Sequence, residues 1–356
     1  MSVTGLEFAG QETAASEGAL DADAAKIQGR SQWQLTWRRL RRDKVAMGSL
    51  VVILVIIALA LAAPLFVSIT HHPPNIAYPN TGEDAAGNPV GPGTAGFWLG
   101  TDGTGRDLFI RILYGARISL FVGFVTTGIG VVAGVAVGLI AGYFGGIVDS
   151  ILARFIDAVL AFPYVVLALA LAVVLGPSLT VIIAVIAFFS WAAIARIVRG
   201  QTLSIKEKEY IEAARSLGAG PFRIMFLDIL PNLLAPVLVL ATLYIPTAVV
   251  FEATLSYLGL GIQPPVASWG NLLADAQNFY QTSWWYVIFP AAALLITTLA
   301  FNLFGDGIRD AMDPRTERAF AAGRARRRRG KRQVLADDSQ SEVSHVAPNV
   351  PPAGGS

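Results

Sequence analysis

The sequence contains no cysteine, which excludes disulfides, thiolate metal sites and thiol nucleophiles. Histidine is scarce too. His71, His72 and His345 are the full set, and none stands in an HExxH or comparable ligand spacing, so a metalloenzyme is not indicated. A GxxxxGK[ST] phosphate loop is also missing, because the Gly330-Lys331 pair is followed by Arg332; the chain does not bind ATP in the usual way. Charge is low, at 15% of residues, where soluble domains carry roughly a quarter. Hydrophobic residues make up 54% and the mean hydropathy is +0.56, a composition that belongs to membranes.

Against that background, long apolar runs stand out. A bilayer core of about 30 Å takes about 20 apolar residues in a helix. Six stretches approach that length, near 46–68, 118–142, 153–175, 178–198, 233–255 and 286–305. Backbone groups in lipid must be satisfied within their own segment, so these runs predict helices, and the fold class is an all-α polytopic membrane protein of about six transmembrane helices. The first run begins near Ala46 and is long enough to span, so it reads as an uncleaved anchor and not a signal peptide. Residues 1–32, with Glu7, Glu12, Glu17, Asp21 and Asp23 and no apolar run, read as a disordered tail. Residues 33–112 hold the first helix and an outer loop, 113–315 the core, and 316–356 a basic, disordered tail.

Lysine and arginine set the orientation. Arg38, Arg39, Arg41, Arg42 and Lys44 flank the first run; Arg196, Arg199, Lys206, Lys208, Arg215 and Arg223 lie between the fourth and fifth; a further set runs from Arg309 to Arg332. Residues 69–105 and 256–285 have neither residue type. Both termini are therefore expected in the cytoplasm. Arg106, Arg111 and Arg117 fall on the other side and are expected on an interfacial helix, reaching the headgroups. The run Arg324 to Arg332 suits anionic lipid better than nucleic acid in a cytoplasmic tail.

Gly130, Gly134, Gly138 and Gly142 form a small-residue stripe that lets a second helix approach closely. Pro163, Pro236, Pro246 and Pro290 are expected to interrupt their helices. Arg154 and Asp157, one turn apart, form a candidate self-neutralising pair. Glu252, near the outer end of the fifth run, is a candidate gate or contact for an external protein, with packing or capping as the alternative. Asp102 and Arg106 are likewise candidates for a gate or for contact with an external protein; with Asp107 they precede the second run and are candidates to brace the outer loop that meets it.

Residues 199–232 read RGQTLSIKEKEYIEAARSLGAGPFRIMFLDILPN. Ser204 and Glu207 have capping-box spacing and Gly218 is a helix stop, so a helix over about 205–217 is expected. Tyr210, Ala214 and Leu217 share one face, suited either to another protein or to the bilayer surface.

Glu212, Ala213, Ala214, then Gly218, then Ile229, Leu230 and Pro231 resemble the EAA loop of permease subunits in bacterial binding-protein-dependent ATP-binding-cassette importers. LGTDGTGRD (99–107), YGARISL (114–120), FEATLSYLGLGIQPPVASWG (251–270) and FNLFGDGIRDAMDPR (301–315) are similar to the C-type permeases of the dipeptide and oligopeptide group. The likeness covers roughly 33–315. Phe97 and Trp98 stand where such proteins often have His-Pro. The resemblance implies a type I importer permease fold in the bacterial cytoplasmic membrane and a transporter subunit, not an enzyme. It implies a second permease, two ATPase subunits that hold ATP and Mg²⁺, and an extracytoplasmic peptide-binding protein as partners. Tyr210, Glu212, Ala213, Ala214, Leu217 and Gly218 would couple to the ATPase; no cofactor is expected in this chain. Nickel or glutathione importers share these blocks, and a secondary transporter is the reading from a different class, which leaves the EAA segment unexplained.

Overall fold

The computed structural model describes residues 32–312. The two tails inferred from sequence, and the basic run Arg324 to Arg332 with them, lie outside the described residues apart from Gln32. Among the described residues the structure is helical, with isolated β-bridges at Glu83–Pro89 and Thr101–Asp107 in the outer loop.

A short helix α1 (Gln32–Leu40) leads into α2 (Lys44–Leu61), whose first amides donate to the Asp43 side chain. After a break at Ala62, α3 (Ala63–Thr70) ends at His71 with φ +59°. Residues 71–107 form the outer loop. Next come α4 (Leu108–Phe144), α5 (Gly146–Ala161), α6 (Tyr164–Leu175) and α7 (Leu179–Lys206). The short helix α8 (Glu209–Ser216) precedes α9 (Pro221–Tyr257), which opens with a π-helical turn at Ile224–Ile229. Finally α10 (Trp269–Ala276) and α11 (Trp284–Met312) close the chain.

Among the described residues five helices are long and apolar enough to cross a membrane: α2, α4, α7, α9 and α11. The third expected span is instead a broken pair, α5 and α6, bent by 78°. Pro163 has no amide hydrogen and pushes Phe162 out of the helical region, to φ −76° and ψ 134°. Pro236, Pro246 and Pro290 behave differently from expectation, lying inside the continuous helices α9 and α11. Each removes one backbone hydrogen bond, and packing around the buried Pro246 and Pro290 holds the helices together.

The glycine stripe does what its spacing implies. A Cβ at Gly134 would lie 2.8 Å from Ile194, and one at Gly138 would lie 2.6 Å from the Ala195 carbonyl, so only glycine lets α4 and α7 meet along this seam. On the other side of the bundle α9 packs on α4 and α11, and α11 on α2. The cluster between them buries Leu108, Leu120, Val249, Trp269 and Tyr286, which fixes α10 between α9 and α11 at the outer end.

Candidate functional site

Two polar constructions stand at opposite ends of the bundle. At the first, α7 runs on to Lys206, so Ser204 lies inside it and does not cap a new helix. The break comes at Glu207 and Lys208, and α8 starts at Glu209, four residues later than expected, with no side-chain cap. Its C-terminus is closed by backbone. Ala219 N donates to Ala214 O at 3.0 Å and Gly218 N to Arg215 O at 3.0 Å, with Gly218 at φ +83°, the left-handed geometry that favours glycine.

Ile211 alone among the α8 residues is fully buried, in a cluster with Ile205, Ile224, Met225 and Ile229. Tyr210, Glu212, Ala213 and Leu217 are exposed, Leu217 to 88%, and Ala214 is half-buried. Burial, with Asp228 nearby, holds the Tyr210 hydroxyl above its ordinary pKa. Glu212 has no ion pair or hydrogen bond to its side chain among the described residues. The helix is thus pinned by one side chain and presents the rest outward.

At the other end, Asp102 is fully buried. Its Oδ1 accepts from the amides of Thr104 and Arg106, at 2.9 and 3.0 Å, and from the Thr104 hydroxyl at 2.9 Å. Its Oδ2 takes Arg106 Nε at 2.7 Å and lies 2.9 Å from Arg111 Nε. Arg111 Nη1 donates to the carbonyls of Pro74 and Pro265, at 3.2 and 3.3 Å, so one guanidinium joins the outer loop, α4 and the turn before α10. The headgroup role expected for Arg111 is therefore corrected: it is fully buried because a buried carboxylate and two carbonyls solvate it. Arg106 is half-buried in the same cluster, and Arg117 is exposed beside the Tyr114 ring. Burial raises the Asp275 carboxyl above the usual range, and Asp102 adds to this, while Arg111 and Arg106 oppose it.

Asp107 caps α4 through Ile110 N and meets His72 Nδ1 at 2.8 Å. Phe97 stacks on the His72 ring with centroids 4.5 Å apart and is itself buried, so the residue that departs from the family pattern fills a packed place under this pair. His72 and Arg111 were not singled out as site residues from sequence, since their partners lie 35 and 9 positions away with no motif linking them.

Glu252 is fully buried in α9. Its carboxylate accepts from Ser119 Oγ of α4 and Ser256 Oγ, each at 2.7 Å, and Ser256 Oγ in turn accepts from Ile262 N at 3.0 Å. The side chain presents no outer surface to an external protein in this arrangement; it joins α9 to α4 and to the turn leading to α10. The Arg154–Asp157 pairing is replaced by Asp157 with Arg196 of α7, because α5 lies along α7 and the guanidinium reaches across. A second rung is bidentate: Arg199 Nε meets Asp149 Oδ1, and Nη2 meets Oδ2 at 2.6 Å.

Residues 134–318 match the family described as binding-protein-dependent transport system inner membrane component, a stretch that includes α8, α9 and Glu252. The chain belongs to that family. Residues 31–83 of this permease match the N-terminal TM domain of oligopeptide transport permease C. It is 41% identical over 299 residues to the dipeptide transport system permease protein DppC of Bacillus subtilis (strain 168), covering 84% of this chain and 90% of that protein. Against the oligopeptide transport system permease protein OppC of Salmonella typhimurium (strain LT2) the identity is 38% over 294 residues, 83% of this chain and 95% of that one. A solved inward-facing form of the MetNI methionine ABC transporter aligns with a TM-score of 0.48 at 22% identity, over 57% of this chain and 96% of that chain. The family match and the two relatives, with the apolar helices, make this a multi-pass membrane permease of a binding-protein-dependent transport system.

Proposed function

We propose that this permease forms, with a second permease subunit, the path by which di- and oligopeptides enter across the bacterial cytoplasmic membrane. ATP is hydrolysed by two partner ATPases and peptide arrives on an extracytoplasmic binding protein. The peptide cargo is supported by the names of relatives at about 40% identity over most of the chain. The observation that carries the mechanism is α8: pinned by Ile211, closed at Gly218 and otherwise exposed, it is built to sit in another protein's groove and pass a push into α7 and α9. Glu212 is then free to pair with a basic group of the ATPase. The Asp102 cluster braces the outer loop, and Glu252 holds the outer end of α9 against α4, where a gate would hinge. Both termini lie in the cytoplasm, on the same side as α8.

The test is reconstitution of the complex in lipid, with ATP hydrolysis followed as peptide-loaded binding protein is added. Stimulation that Glu212→Ala and Gly218→Asp abolish is expected. Stimulation only by a nickel- or glutathione-loaded binding protein would keep the coupling and change the cargo. Absence of any copurifying ATPase would remove the reading.

A further inference from the structure

The start of the permease carries more positive charge than its own structure uses. Between Arg38 and Lys44 stand five cations, Arg38, Arg39, Arg41, Arg42 and Lys44, against the single carboxylate of Asp43. That carboxylate is occupied, because its Oδ1 accepts from the amides of Val45 and Ala46 and so caps α2. Arg39 is half-buried and donates through Nη1 to the Ala311 carbonyl, 3.4 Å away at the end of α11. The other four cations are exposed, and none of them meets a carboxylate among the described residues. Further along the chain the arrangement differs: Arg106 and Arg111 share Asp102, Arg196 meets Asp157 and Arg199 meets Asp149.

Helical spacing sorts α1 into two sides. Leu40 is buried with Ala46 and Ala311, which seats the helix against α2 and α11. Gln34, Arg38 and Arg42 recur every four residues on the exposed side, and Trp37 with Arg41 forms a second exposed row. Trp37 is 47% exposed, and the Arg41 guanidinium lies over its ring, 5.0 Å from the centroid. Three residues separate α1 from α2, so this basic face stands at the mouth of a membrane span. Beyond it Val45, Val52 and Leu59 continue an exposed apolar row along α2 at seven-residue spacing. An acidic protein surface would match the arginines but not the indole and the apolar row. An anionic phospholipid matches all three, with its phosphate on the guanidinium groups, the indole at headgroup level and its acyl chains along α2.

We propose that α1 is a binding site for anionic phospholipid, with Arg38, Arg41 and Arg42 holding the headgroup phosphate beside Trp37. Because Leu40 and Arg39 tie α1 to the end of α11, a lipid held here fixes the ends of two spans to one another. The site rests neither on the peptide cargo nor on the coupling role of α8.

Because the chain has no cysteine, Gln34→Cys places a single thiol on the exposed side of α1 for a fluorophore, in a complex whose other subunits lack reactive cysteine. The complex is assembled in nanodiscs of phosphatidylcholine and phosphatidylglycerol, with a quencher carried by one lipid or the other at equal mole fraction. The quencher on phosphatidylglycerol should be roughly fivefold more effective or better, fivefold being the gain from one arginine at an anionic surface. High salt should shrink that preference. Arg38→Gln, Arg41→Gln and Arg42→Gln together should bring the two quenchers to equality. Arg38→Lys, Arg41→Lys and Arg42→Lys together, which keep the charges that orient the first span, should retain most of the preference. Equal quenching in the unaltered complex, or a preference that the triple Gln variant keeps, overturns the proposal. So does a probe that neither lipid reaches, because protein then covers the face, whether a partner subunit or the chain's own acidic residues from Glu7 to Asp23. If the triple Gln variant fails to insert, the two quenchers and their salt dependence in the unaltered complex still decide.

Discussion

Arg111 Nε lies 2.9 Å from Asp102 Oδ2, with both side chains fully buried. Removing one member of such a pair strands the other, which costs about 3–5 kcal/mol, far more than the pair contributes relative to an apolar replacement. Asp102→Ala should therefore lower the stability of the purified complex by that order, seen as an earlier thermal transition. Arg111→Lys, made separately, should lower stability as well, because a lysine ammonium lacks the fork that reaches Asp102, Pro74 and Pro265 together. A wild-type transition in Asp102→Ala would show that the outer loop is held by something else. Binding-protein docking, measured in parallel, separates bracing from direct contact.

Asp275, beside this cluster, should leave a pH signature. Burial holds its carboxyl above the usual range in the folded state. The folded form then keeps a proton that the unfolded chain releases, so stability is greatest below the ordinary carboxylate pKa and declines as pH rises through the raised value. Asp275→Asn should remove that decline and stabilise the neutral-pH protein. Unfolding followed from acid to neutral pH checks it; parallel slopes for the two proteins would refute the assignment.

The α4–α7 seam gives a test with its own control. In Gly138→Ala the new Cβ would sit 2.6 Å from the Ala195 carbonyl and 2.9 Å from Arg199 N, atoms that move only with the α7 backbone. A loss of about 1–3 kcal/mol is expected. Gly128, in the same helix with nothing within 4 Å of its would-be Cβ, should gain up to about 1 kcal/mol on change to alanine. Thermal unfolding of the two variants side by side should move in opposite directions.

The spans, the glycine stripe and the Gly218 stop were legible in sequence because each is a local pattern: apolar length, four-residue spacing, a residue that tolerates positive φ. Pro163 was visible as an interruption, but its 78° bend was not distinguishable in sequence from the continuous paths through Pro246 and Pro290, whose burial is a tertiary fact. The start of α8 was misplaced because Ser204 and Glu207 mimic a cap inside the last turns of α7. Pairings across helices were the least legible. Arg154 is three residues from Asp157 in sequence, yet Arg196, 39 away, holds it, since helix packing and not spacing brings the charges together. For the same reason nothing in the sequence tied His72 to Asp107 or Ser119 to Glu252.

In the coupling role proposed for it, α8 separates seating from docking in a way that two substitutions can read. Ile211 is fully buried and anchors α8 to the base of α9, so Ile211→Ala should cost about 2–5 kcal/mol locally and loosen the helix from the bundle. Leu217 is 88% exposed and touches little of its own chain, so Leu217→Glu should change the permease's own stability by less than about 0.5 kcal/mol. If α8 docks as proposed, it should nonetheless weaken copurification of the ATPase, because a charge would replace an exposed apolar side chain at the proposed contact. Ile211→Ala should instead keep the ATPase bound but uncouple its hydrolysis from uptake, the helix remaining docked while its link to α7 and α9 slackens. Copurification yield and the ratio of peptide imported to ATP consumed, measured on both variants, distinguish the two roles. If Leu217→Glu assembles and transports normally, α8 does not enter a partner through this face, and the coupling role assigned to it fails.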